Sequence, residues 1–269
     1  MQLKRVAVLV AGMALGGIGA WPAGAQAPGG LGAATGDVVA ALTRQYGAPD
    51  QRRQCWKART PPRQGQSGIT ACLQVAQNWR VETAAGPQLF VLLAGNGPQD
   101  CHACAGVIGL FSFVQANGRW TVAAKLPATE DGAYGEPTGA AAFQVLQFGP
   151  ATWGWIQKTG YFAMGEGTES YMVWLPRRGG IVEAGNLPAG YDNSGACDEE
   201  PQTGSGHECR RLSATLQVDR SGGNGDAWSL RMEVTGMHGA RQVRAGFTVP
   251  FDPVRFRYSP PKALEEFIS

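Results

Sequence analysis

Cys101-His102-Ala103-Cys104, inside the stretch QDCHACAG at 99–106, is the part of this chain best equipped for chemistry. Two thiols with two residues between them suit a redox couple, half of a metal site, or a short structural disulfide. A redox couple needs its first thiolate stabilised at a helix N-terminus. The residues that follow, Ala105-Gly106-Val107-Ile108-Gly109, read as the entry to a strand, so that device is missing. A zinc site needs four ligands, usually from two clusters. The only other cluster is His207-Glu208-Cys209, and no metal site is expected. A c-type haem needs histidine after the second cysteine, where this chain has Ala105. The expectation for Cys101 and Cys104 is an inert disulfide. Their use as a thiol–disulfide oxidoreductase, with His102 beside them, is the alternative.

Hydrolytic chemistry has little to stand on. The chain holds three histidines. The serines of DNSG at 192–195 and GTES at 167–170 lack the strand–turn–helix setting of a nucleophile elbow. Carboxylates such as Glu130, Asp131, Glu166, Glu169 and Asp192 fall in turns, and spacing alone selects no catalytic pair. DRSGGNGD at 219–226 lacks the ligand pattern of an EF-hand loop and reads as a hairpin tip. No cofactor is expected.

Aromatic residues offer a binding surface instead. Trp153, Trp155, Tyr161, Phe162, Tyr171 and Trp174 fall close together, and Trp153 and Trp155 share one face of a strand. Core packing explains such a cluster, and so does a platform for a sugar or peptide. The binding expectation rests on Trp153, Trp155, Tyr161, Tyr171 and Trp174. A second candidate surface is basic: Arg44, Arg52, Arg53, Lys57, Arg59 and Arg63, with only Asp50 among them. It would suit an anionic partner such as a cell-envelope polymer.

The elements that must position these residues are mostly strands. Thirty-nine glycines in 269 residues argue for many turns and few long helices. One helix is predicted over 37–46, where Val38, Val39, Leu42 and Tyr46 repeat at helical spacing. Asp37 or Thr35 would cap it, Gly47 would end it and Pro49 would stop it. A second short helix is predicted in SPPKALEEFIS, with Ser259 as its cap. Between them, strand follows strand. The clearest hairpin is GLFSFVQANGRWTVAAKL, with Asn117-Gly118 as its tight turn. Shifting the chain by 61 residues lays FVQANGRWTVAAKLPA over WLPRRGGIVEAGNLPA, two hairpins ending in the same Leu-Pro-Ala. The fold expected is all-β with one short N-terminal helix: mainly an antiparallel sandwich or open barrel, or alternatively propeller-like β units.

The N-terminus indicates destination. Lys4 and Arg5 precede an uncharged, mostly apolar run from Val6 to Trp21, and Ala23-Gly24-Ala25 offers a small-residue cleavage site. This reads as a signal peptide over 1–25, followed by one disulfide-stapled β-rich domain over 26–269. The run is too short for a membrane span, which needs roughly 20 apolar residues. Removing 1–25 takes away Lys4 and Arg5 and no acid, so 21 basic and 21 acidic residues remain. A field that would draw nucleic acid is absent. All six cysteines (55, 72, 101, 104, 197 and 209) lie in the mature part, and an even count in an exported chain points to disulfides. Sequence neighbours suggest 55–72, 101–104 and 197–209, although 15 pairings exist. The reading is an exported envelope or periplasmic binding protein, non-enzymatic, with a polymer or protein partner and no membrane span. A periplasmic hydrolase is the remaining alternative.

Overall fold

In chain order the computed structural model contains α1 (Thr35–Tyr46), β1 (Trp56–Arg59), β2 (Thr70–Thr83), β3 (Gly86–Gly95), β4 (Gly106–Ala116) and β5 (Arg119–Asp131). It continues through β6 (Phe143–Gln147), β7 (Trp153–Ala163), β8 (Glu166–Arg177), β9 (Gly180–Asp192), β10 (Arg210–Val218), β11 (Leu230–His238) and β12 (Arg241–Val249). A two-stranded ribbon, β13 (Phe251–Asp252) and β14 (Arg257–Tyr258), leads to α2 (Lys262–Ile268). The structure describes residues 31–62, 67–99, 104–197, 208–221 and 225–268. The signal peptide expected over 1–25 lies outside them.

The fold is all-β with short helices at its two ends. β1–β5 and β6–β9 are two antiparallel meanders, and β10–β12 is a third. They are joined into one sheet by short contacts at β9. Its first residue pairs in parallel with Lys125 of β5, and its last residues pair with β10.

The 61-residue echo is a structural repeat. Each of the ten residue pairs between β4 and β5 recurs between β8 and β9 at the same shift, from Gly106↔Asp131 and Gly167↔Asp192 to Ala116↔Arg119 and Arg177↔Gly180. Two register breaks recur as well. One falls between Ser112 and Phe113 and between Val173 and Trp174, and the other falls at the two Leu-Pro-Ala segments. Both hairpins turn through two residues of positive φ, Asn117-Gly118 (52° and 75°) and Arg178-Gly179 (51° and 78°). This mirror-image turn matches the right-handed twist of its strands.

The meanders stack head to tail. One face of the first, with Leu89, Phe111 and Phe113, packs against Val38, Ala41 and Leu42 of α1. Its other face, with Phe90, Leu92, Ile108 and Leu110, packs against Trp155 and Trp174 of the second. The far face of the second, with Ile156, Val173 and Leu187, meets Leu212, Met232 and Val234 of the third meander together with Leu264 and Ile268 of α2. β4 is therefore covered on both sides, and eight consecutive residues, Gly106–Phe113, are buried. The layering has the face-to-face packing of a sandwich and the head-to-tail order of propeller blades, within one connected sheet.

The helices differ in detail from expectation. α1 begins at Thr35 with no side-chain cap. Asp37 reaches away instead: its carboxylate accepts the Trp120 amide at 2.8 Å and pairs with Arg119. Gly47 does end the helix, with φ at 87° and its N–H donating to the Thr43 carbonyl. α2 begins after Pro261 instead of at Ser259, because a following proline disfavours helical backbone at both Ser259 and Pro260.

Candidate functional site

The residues proposed from sequence are separated by the stacking. Trp153 and Trp155 do share a face, but that face is core. Trp155 is fully buried, its ring edge-on to Phe90 at 4.9 Å, and Trp174 sits opposite it across the strand pair. Burial takes both indoles out of reach of any ligand, so the expected platform is corrected to an interlayer core. Trp153 is partly buried against the same cluster. Tyr171 is partly buried, and its hydroxyl donates to the Ala214 carbonyl at 3.0 Å.

Beside these tryptophans runs a polar chain, buried at one end and partly exposed at the other, that sequence reading missed. The Trp174 indole N–H donates to Gln157 Oε1 at 3.3 Å. Gln157 Nε2 donates to Asp131 Oδ1, and Asp131 Oδ2 accepts the Thr138 amide. Gln157 is wholly buried, and both ends of its amide are satisfied. Nothing in a strand pattern distinguishes such a glutamine from a solvent-facing one.

The aromatics that do reach solvent lie at the far end of the same hairpin. Beyond Lys158, β7 and β8 project past the layers that bury Trp155. There Tyr161 is 62% exposed, Phe162 66% and Met164 97%. Tyr161 and Phe162 stand on opposite faces of β7, and Met164 occupies the turn between β7 and β8. The turn again uses two positive φ angles, 52° at Met164 and 84° at Gly165.

This tip is held in place. The Gly195 N–H donates to the Gly165 carbonyl, and a Cβ on Gly165 would lie 2.5 Å from Gly195 backbone, so only glycine allows the approach. The 193–197 turn is tied down in its own right. Asn193 is buried, donates to the Glu208 carbonyl and accepts the Arg210 amide, and the Cys197–Cys209 disulfide closes the loop. The Phe162 ring lies across Gly167 on the neighbouring strand, shielding a residue that has no side chain of its own. The ion pair of Lys158 with Glu169 brackets the tip at its base.

The cysteines follow sequence neighbours where they are described. Cys55 pairs with Cys72 and Cys197 with Cys209. Cys104 is disulfide-bonded and leads directly into β4, not into a helix. Cys101 and His102 lie outside the described residues, as does His207. Among the described residues no group of three His, Cys, Asp or Glu side chains is placed to hold a metal ion.

The basic candidates are split between two surfaces. Arg44 lies in the last turn of α1 and borders an open notch of about 250 Å³, where Lys125 donates to Gln45 above a floor of Phe111. Lys57 and Arg59 project from the outer face of β1, with Arg52 and Arg53 in the turn before it. The Asp50 carboxylate is engaged by the Arg52 and Arg53 amides. Arg63 lies outside the described residues.

Among the described residues no helix is long and apolar enough to cross a membrane. The chain matches no family model, no curated protein and no solved structure.

Proposed function

We propose that this is an exported, non-enzymatic binding protein of the cell envelope whose contact surface is the β7–β8 hairpin tip. The observation that carries the reading is three large apolar side chains exposed together at one tip: Tyr161, Phe162 and Met164, at a turn bonded to Gly195. Apolar groups left in water at a projecting point cost solubility and mark an interaction site. Anchoring the turn removes much of the ordering cost that a flexible loop would incur on binding. An aromatic ring on each face suits a sugar polymer or an apolar cleft on a protein. Export is supported by the leader pattern at 1–25 and is compatible with the two described disulfides.

The test is co-sedimentation of the mature protein with purified, insoluble envelope polymer. The wild type should pellet with it. Phe162→Ser combined with Met164→Ser should reduce the bound fraction by about tenfold or more, as expected on removing a contact hot spot, without lowering the melting temperature. Equal pelleting of both proteins sinks the tip as the contact. If neither pellets, the polymer is excluded, and only a protein partner is compatible with the reading.

A further inference from the structure

Among the described residues, the sheet has three strands with one partner each: β1, β6 and β12. β1 and β6 are short, four and five residues. β12 is nine residues long, paired with β11 without a register break and free of proline. An unpaired edge of that length displays a row of backbone donors and acceptors, and such edges are usually blocked by lysine, proline or a bulge.

Which groups point outward follows from the hairpin. The two-residue turn at Gly239-Ala240 makes His238 and Arg241 a hydrogen-bonded pair. Odd-numbered residues of β12 then bond to β11. The even ones, Gln242, Arg244, Gly246 and Thr248, turn their N–H and C=O groups to the outside. The Gly239 N–H donating to Cys209 on the β10 side fits this alternation. All four of these residues are exposed, and a Cβ on Gly246 would meet nothing within 4 Å.

We propose that β12 is a dimerisation edge that takes β12 of a second copy of this chain in antiparallel register, centred on Ala245. The sequence RQVRAGFTV is self-complementary in that register. Val243 lies opposite Phe247 of the second copy and Ala245 opposite Ala245, extending the partly buried inner face across the junction. On the outer face Arg244 meets Gly246 and Gln242 meets Thr248, so no like charges oppose. Sliding by one allowed step toward the β12 N-terminus would put Arg244 opposite Arg244, which repels. Within its own chain Arg244 already pairs with Glu233, which steadies the guanidinium beside the strand. Each outward residue pair would exchange two backbone hydrogen bonds.

Sedimentation velocity of the mature protein tests this. Over roughly a hundredfold range of concentration, the weight-average mass should rise from one chain toward two. Gly246→Arg sets an arginine opposite Arg244 of the second copy, twice by symmetry, and should weaken the dimer by about tenfold or more. Its Cβ enters open space, so circular dichroism and melting temperature should be unchanged. Adding Arg244→Glu to that variant should restore the dimer, because the introduced carboxylate of one copy then faces the introduced guanidinium of the other. Amide exchange at Gln242, Arg244, Gly246 and Thr248 should slow with concentration, while exchange at Val243, Ala245 and Phe247 should not. A mass of one chain throughout, or dimerisation undiminished in Gly246→Arg, overturns the proposal.

Discussion

The hairpins β4–β5 and β8–β9 share a register, two bulges and a turn type, yet their equivalent faces meet different neighbours. Phe113 faces α1, whereas its counterpart Trp174 faces the first meander. Leu110 faces the second meander, whereas its counterpart Tyr171 faces the third. Even the bulges are supported differently. The first is bonded by the Tyr46 hydroxyl, which donates to the Pro127 carbonyl at 2.5 Å. The second lies where Gly190 pairs with Ser213 of β10. What a face packs against is thus set by position in the stack and not by the local strand pattern. The stack has two ends, closed by α1 and by the third meander with α2, and one hairpin that projects beyond it.

The largest effect should separate the stacked part of β7 from its tip. Trp155→Ala empties a fully buried site between two layers and should cost about 3–5 kcal/mol, measured by urea unfolding. Phe162→Ala, on the same strand but largely exposed, should change stability by no more than about 0.5 kcal/mol. A cost below about 1 kcal/mol for Trp155→Ala would be incompatible with the head-to-tail core.

Next come the two described disulfides, one at the edge of the first meander and one after the second. Cys55–Cys72 and Cys197–Cys209 span separations of 17 and 12 residues. In the chain-entropy model each contributes about 3 kcal/mol, so paired Cys→Ser replacements should destabilise similarly. A markedly larger loss for Cys197–Cys209 would show that the loop it closes also steadies the β7–β8 tip through Gly195.

The sequence carried much of this architecture and little of its assignment of faces. The turn residues at 117–118, the helical spacing of Val38, Leu42 and Tyr46, and the paired Leu-Pro-Ala segments all survive into the structure, because they report local backbone geometry. The Leu-Pro-Ala echo reports backbone geometry too: each segment sits at a register break and ends in a buried alanine, Ala128 or Ala189. The fate of the tryptophans was not legible. Period-two alternation says that Trp153 and Trp155 lie together, but both faces of this meander are covered, so alternation cannot say which one meets solvent. The exposed tip was marked by its Met164-Gly165 turn and by a glycine, Gly167, opposite Phe162, and of the residues expected to bind only Tyr161 lies in it.

A smaller effect is shared by the two tyrosines that tie hairpin to neighbour. Burial pushes the Tyr46 phenol well above its ordinary pKa, so it remains a donor to Pro127 at any physiological pH. Tyr46→Phe leaves that bulge carbonyl with one partner fewer and should cost about 1 kcal/mol. Tyr171→Phe removes the bond to Ala214 and should cost about the same. If Tyr46→Phe were neutral by denaturant titration, water or relaxation at the bulge would be replacing the bond, and the polar hold on α1 would rest on Asp37 with Trp120 and on Gln45 with Lys125.

The smallest effect concerns the last residues of the two hairpins. Asp131 ends β5 and is bonded inward to Gln157 and Thr138, whereas its equivalent Asp192 ends β9 at the surface. Partial burial pushes the Asp192 carboxyl up, but the Ser194 hydrogen bonds and the Arg211 guanidinium outweigh that push and hold it below the ordinary Asp value. The folded chain therefore keeps this carboxylate charged to lower pH than the unfolded chain does. The stability it contributes is complete above the unfolded value of about 3.9 and is lost as pH falls through the depressed folded value. Because the pair with Arg211 is exposed to solvent, the contribution is small and salt-sensitive. Asp192→Asn should lower the melting temperature slightly at neutral pH, and the gap from the wild type should close below about pH 3. A gap that persists unchanged at low pH would mean that Asp192 acts through the shape of the 192–194 turn and not through its charge.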